Sequence, residues 1–249
     1  MSARSLAVSI LAAVLIAGVF LLGDPVPQDP AYHAFSDVRN LFGIPNFWNV
    51  ISNLPFLVIG AAGLWFLRHD AERVCMQGNA LAYRVFFAGI LLTAFGSAYY
   101  HLAPSNQTLL WDRLPMTIGF AGLLTVIIAE FISSNAARRL LLPLLGIGLG
   151  SVFYWAWSET QGAGDLRPYA IVQFLPMLLI PAVLLTHKPA IGDSRYFWWM
   201  LVFYVIAKVF EFMDPSILAL GNLISGHSLK HLAAAMTPAV FLYALTRRR

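Results

Sequence analysis

A chain of 249 residues in which 59% are hydrophobic and only 11% are charged is too apolar for a soluble domain of its size and belongs in a bilayer. Its formal charge of +4 does not signal a nucleic-acid partner, because the basic residues form no patch interleaved with aromatics. A single cysteine, Cys75, excludes a disulfide framework and a multi-cysteine metal cluster, and reads as an ordinary loop residue.

A helix needs about 20 mostly apolar residues to cross the hydrocarbon core. Eight stretches qualify: 4–22, 48–67, 80–101, 111–132, 139–157, 168–186, 196–214 and 225–245. The expected fold is an all-α membrane protein, a seven-transmembrane-helix bundle over residues 24–249 preceded by an N-terminal signal-anchor or transmembrane helix over 1–23. Arg4 precedes that first apolar run and no small-x-small cleavage site follows it, which favours an uncleaved anchor. With the N-terminus inside, Arg4, Arg68, Arg73, Arg84, Arg138, Arg139, Lys188, Arg195 and the Arg247–Arg249 tail fall on the cytoplasmic side. These are eleven of the sixteen basic residues, as the positive-inside rule asks of a multi-pass protein with both termini cytoplasmic.

Between the first two spans, "HAFSDVRNLFGIPNFWNVISN" offers oxygen ligands at Asp37, Asn40, Asn46, Asn49 and Asn53. A calcium site wants about six to eight oxygens, and one carboxylate among amides is thin for that. Turn-forming and helix-capping asparagines explain the run, with Phe47 and Trp48 as an interfacial anchor. The next hairpin, "GSAYYHLAPSNQTLLWDRLPM", places Ser97 and His101 at the end of an outward-running helix and Asp112 in the first turns of the inward one. Glu130, near a cytoplasmic helix end, is expected to snorkel. Lys208, Glu211 and Asp214 stand at i, i+3 and i+6 on the span 196–214, either beside a binding cavity or as a self-neutralising group. The last span opens with "GHSLKH", where Lys230 is expected to snorkel outward or meet a lipid headgroup.

Topology then brings His101, His227 and His231 to one depth on the extracytoplasmic face, while His69 and His187 fall on the other. Ser97 and His101, and likewise His227 and His231, are spaced i,i+4, so each pair projects from one helix face. Two imidazoles from one helix and a third from another make a three-ligand metal site with an open position, the pattern of catalytic zinc, although iron, nickel and copper also accept nitrogen ligands. Ionisable groups at this depth are costly and mark function. The residues alone leave two readings: a metal-dependent enzyme, or a non-enzymatic seven-helix receptor or sensor with a structural metal. A transporter would show inverted repeats and broken helices, and no internal repeat is visible.

The combination of "FWNVISN" at 47–53, "GSAYYH" at 96–101, "WDRLPM" at 111–116 and "HSLKH" at 227–231 resembles the alkaline ceramidase family. That family lies in a wider superfamily of seven-helix membrane metal hydrolases that includes the adiponectin/progestin-type receptors. The resemblance covers about residues 37–245. It implies that His101, His227 and His231 bind zinc, that Ser97 helps stabilise the oxyanion, and that Asp112 orients or deprotonates the attacking water. It implies a calcium site near Asp37, Asn40 and Asn46, where this chain carries amides in place of acids. The implied activity is zinc-dependent cleavage of the amide of ceramide or another N-acyl lipid drawn from the bilayer.

Overall fold

Inside a bilayer every backbone N–H and C=O must find its partner within the chain, and helices do this segment by segment. The computed structural model describes residues 2–248 and is helical through most of them; Met1 of the expected anchor and Arg249 of the basic tail lie outside the described residues. In chain order the helices are α1 (Ala3–Leu22), α2 (Phe47–Ile51), α3 (Leu54–Val74), α4 (Ala80–Leu102), α5 (Asn106–Ile127), α6 (Ser134–Thr160), α7 (Arg167–Thr186), α8 (Arg195–Phe212), α9 (Asp214–Gly221) and α10 (Gly226–Thr246). A 3-10 turn at Pro30–His33 and a π turn at Ile128–Ile132, which extends α5, complete the set.

Seven of these segments are long and apolar enough to cross a membrane, α1 among them. Helix α8 fails that test on its charges, Arg195, Lys208 and Glu211, yet packs along the whole of α10 and closes the bundle. The core helices run α3–α4–α5–α6–α7 in sequence, and α10 lies between α8 and α3. The ring is tightly packed except between α7 and α8, which touch at few positions. Helix α1 stands outside and packs chiefly on α7, with Arg4 Nη1 donating to the Thr186 carbonyl at 3.1 Å and the Ser5 hydroxyl 3.2 Å from His187 Nε2.

Three local expectations change. The span expected at 48–67 runs over Phe47–Val74 and is broken near Ser52, before Pro55, into α2 and α3. The span expected to end at 214 stops at Phe212, so Asp214 opens a separate short helix instead of continuing α8. Glu130 does not snorkel: it is fully buried, accepts from Arg248 Nη1 and Nη2 at 2.8 and 2.9 Å, and accepts from the Tyr83 hydroxyl at 2.5 Å. Arg248 also donates to the Val74 carbonyl, so the C-terminus is clamped to the ends of α3 and α5. Breaking such a buried pair costs about 3–5 kcal/mol, because it strands a charge. Cys75 lies in the loop after α3, as expected, and is buried beside this cluster. Alternation of helix direction gathers the basic residues from Arg4 to Arg248 that the topology reading placed together at this same end.

Candidate metal centre

The opposite end holds the histidines. His101 sits on the last turn of α4, with Ser97 one turn before it, and His227 and His231 occupy the first turns of α10. Helix α10 starts where it does for clear reasons. The Ser225 side chain caps the Ser228 N–H at 3.2 Å, and Asp214 Oδ1 accepts the His227 N–H at 2.7 Å. Gly226 lies against the Phe210 carbonyl and Asp214 Cα with no room for a Cβ. Asp214 therefore serves the backbone that carries a histidine, and its other oxygen accepts the Ser36 N–H at 3.2 Å.

The three imidazoles form a nearly equilateral triangle, with ring centroids 4.9, 4.9 and 5.0 Å apart. All three residues are buried, and one nitrogen from each falls within 4.8 Å of the others. Ser52 fixes the tautomer of His231. Its hydroxyl donates to the Asn49 carbonyl at 3.2 Å, so it accepts the Nδ1–H of His231 at 2.7 Å and leaves Nε2 as the lone-pair nitrogen. His101 Nδ1 and His227 Nε2 are buried without any hydrogen-bond partner. Buried polar atoms are almost always paired, and three buried imidazoles this close suit a divalent cation.

The α2 segment forms the floor of the site. The Asn46 amide donates to the His101 carbonyl at 2.8 Å, and Asn49 Oδ1 accepts the Ser228 hydroxyl at 2.8 Å while its amide donates to the Asp37 carbonyl at 3.1 Å. Phe35 packs on His101 and His227, with centroids 4.7 and 4.5 Å away. His33, the remaining histidine of this end, contacts the Tyr100 hydroxyl and Asn106, each at 2.9 Å.

Ser97 and Asp112 face one another across the α4–α5 seam and line a cavity of about 390 Å³ together with His231. Pro115 has no N–H for the Trp111 carbonyl, and Gly96 lets α4 lie directly on that carbonyl, where a Cβ would collide. This close approach sets Ser97 beside Asp112. Asp112 is not among the groups that converge on the histidine triangle. Below the site the cavity continues between apolar side chains as far as Leu123, Ile180, Phe197 and Met200. Asp112 to Leu123 is eleven residues of α5, roughly 16 Å of helix. That is about half of a ~30 Å hydrocarbon core, the depth of one leaflet.

Of the residues put forward for calcium, one is held by a neighbouring arginine. Asp37 is buried, with both carboxylate oxygens held by Arg39 at 2.8 and 2.5 Å, and the guanidinium holds the carboxyl below the usual carboxylate range. Asn40 is exposed, and Asn46 gives its side-chain N–H to the His101 carbonyl. Sequence reasoning passed over Ser52, Asn49 and Phe35 as working residues. The signal for the first two was the "FWNVISN" segment itself, read there as turns and caps; Phe35 had none.

The fold and site define a multi-pass helical membrane protein with a buried tri-histidine group able to hold a metal ion beside an apolar cavity. A family profile described as Ceramidase matches residues 42–247, and the chain belongs to that family. Membership implies hydrolysis of a lipid amide. No curated protein and no solved structure matches the chain.

Proposed function

We propose that this protein is a zinc-dependent hydrolase that cleaves the amide of ceramide or a similar N-acyl lipid. The observation that carries the reading is the histidine triangle, with two unpartnered ring nitrogens, opening beside Ser97 and Asp112 onto an apolar cavity. His101, His227 and His231 would hold the ion, which supplies Lewis-acid polarisation of the carbonyl and lowers the pKa of water. The Ser97 hydroxyl donates to the carbonyl oxygen as it gains negative charge. Asp112 accepts the proton of the attacking water and delivers it to the departing amine nitrogen as the C–N bond breaks, leaving a fatty acid and an amine. The acyl chain occupies the apolar extension of the cavity. The gathering of basic residues at the far end supports cytoplasmic termini and an extracytoplasmic active site, with α1 as an uncleaved anchor outside a hydrolase domain over 24–249.

Metal content and N-acyl lipid turnover, measured on the same detergent-purified samples, test this. The wild type is expected to carry about one zinc per chain, with chelator-sensitive turnover, and His231→Ala to lose both. Asp112→Asn is expected to keep the zinc and lose about 10²–10⁴-fold in kcat. Zinc without turnover of any acyl amide would favour the receptor reading, and a folded protein without zinc would overturn the mechanism.

A further inference from the structure

At the basic end, away from the metal centre, a second hollow of about 450 Å³ opens between the end of α3, the start of α8 and the end of α10. Four arginines line it: Arg73, Arg195, Arg247 and Arg248. Asp193 is the one acid among its described lining residues, and Val74, Ile191 and Ala244 supply apolar surface. Val74 ends α3, Arg195 opens α8 and Ala244 lies in the last turn of α10, so the hollow sits where hydrocarbon gives way to headgroups. The positive-inside rule accounts for basic residues on this side. It does not account for four of them converging from three distant segments on one hollow.

Arg248 is spent on Glu130 and the Val74 carbonyl and serves as wall. Gly192, at φ +72°, lies so close to it that a Cβ there would come within 3.0 Å of Arg248 Nε. The loop before α8 thus closes on the C-terminal end of α10. The other three arginines are exposed. Arg73 pairs with Asp70 at 2.7 Å and Arg195 with Asp193 at 3.1 Å, and exposed pairs of this kind are worth little and exchange readily. Arg247 meets no carboxylate among the described residues; its Nε and Nη2 donate to the Tyr243 hydroxyl at 3.0 and 2.9 Å. The Tyr243 ring packs on Tyr196, centroids 6.0 Å apart, and the guanidiniums of Arg247 and Arg195 stand over those two rings, 5.1 and 4.9 Å from the centroids. Neighbouring tyrosines therefore hold two exposed guanidiniums close to one another, and a tyrosine ring attracts a cation without neutralising it.

We propose that this hollow binds the headgroup phosphate of an anionic phospholipid from the leaflet at the basic end, with Arg195 and Arg247 as its principal donors. A guanidinium matches phosphate oxygens two at a time, and basic pockets between helices at this depth suit such headgroups. The glycerol and first methylenes meet the apolar lining. A zwitterionic headgroup would bring its own ammonium among the arginines and is disfavoured. A lipid held here ties the start of α8 to the end of α10, the helix that carries His227 and His231 at its other end. The site lies at the opposite end from the amide-hydrolase centre and does not depend on that reading.

Thermal unfolding of the full chain in neutral dodecylmaltoside micelles tests this, with dioleoyl-phosphatidylglycerol, dioleoyl-phosphatidylcholine or sn-glycerol 3-phosphate added. Near saturation, phosphatidylglycerol is expected to raise the unfolding midpoint by about 5 °C over phosphatidylcholine. The double variant Arg195→Gln/Arg247→Gln is expected to lose most of that difference. Arg68→Gln/Arg139→Gln, which removes two exposed charges at the same end but outside the hollow, is expected to keep it. Each difference is taken within one variant, and Arg248 is left in place because its loss would strand Glu130. No preference for phosphatidylglycerol in the wild type would overturn the site. Equal losses in the two double variants would do so as well, by showing attraction to the basic end as a whole. The full shift from glycerol 3-phosphate alone would overturn the lipid as ligand in favour of a soluble phosphate.

Discussion

Ser52 shows how much a single hydroxyl does here. Because it gives its own proton to the Asn49 carbonyl, it takes the Nδ1–H of His231 and leaves Nε2 as the lone-pair nitrogen of that ring. Ser52→Ala leaves that N–H buried without a partner and frees the ring to rotate. Removing such a supporting contact typically costs about 10–100-fold in metal affinity. The expected result is a weakening of that order in a zinc competition titration against a chromogenic chelator, with the helical content unchanged by circular dichroism. The histidines that converge were legible in the sequence because an i,i+4 pair on a helix announces a shared face. Ser52 was not, since a serine beside a helix break looks the same whether it caps a backbone or orients an imidazole. Glu130 was misread for a related reason: nothing local in the sequence tells that Arg248, 118 residues away, folds back to meet it.

At the level of elements, two Asp-x-Arg staples brace the loops at the metal end. Asp37 and Asp165 each bind the arginine two residues on, whose remaining donors reach Asn222 and Leu223 in one case and Gly23 in the other. In both, the arginine holds the carboxyl below its ordinary value. A depressed folded-state pKa adds stability that is fully present above the unfolded carboxylate value of about 4 and is lost as pH falls through the depressed one. Thermal unfolding followed from pH 6 to pH 3 is expected to show a steeper acid loss in the wild type than in Asp37→Asn, which lacks that titration; parallel profiles would remove the staple from the account. Most spans were readable from hydropathy alone, because the bilayer leaves helices as the one economical solution. The breaks near Ser52 and after Phe212 were missed although each carries a signal, Pro55 and Pro215 at the starts of α3 and α9, because a hydropathy window averages across the polar residues around them.

In the whole molecule, a basic end clamped by Arg248 and Glu130 opposes an end that holds the histidines, and a cavity runs between them for about the depth of one leaflet. The ring of helices is weakest at α7 and α8, which meet only sparsely and both contribute to the cavity wall. Helix α7 carries Pro176 and Pro181 in its interior, each removing one of its own backbone hydrogen bonds. A lipid passing through that seam never enters water. The variable that governs turnover is then two-dimensional: diluting the substrate with inert detergent at constant total amount should slow the reaction, and adding buffer at constant lipid-to-detergent ratio should not. The reverse pattern would mean that the substrate arrives from solution and that the seam is not its route.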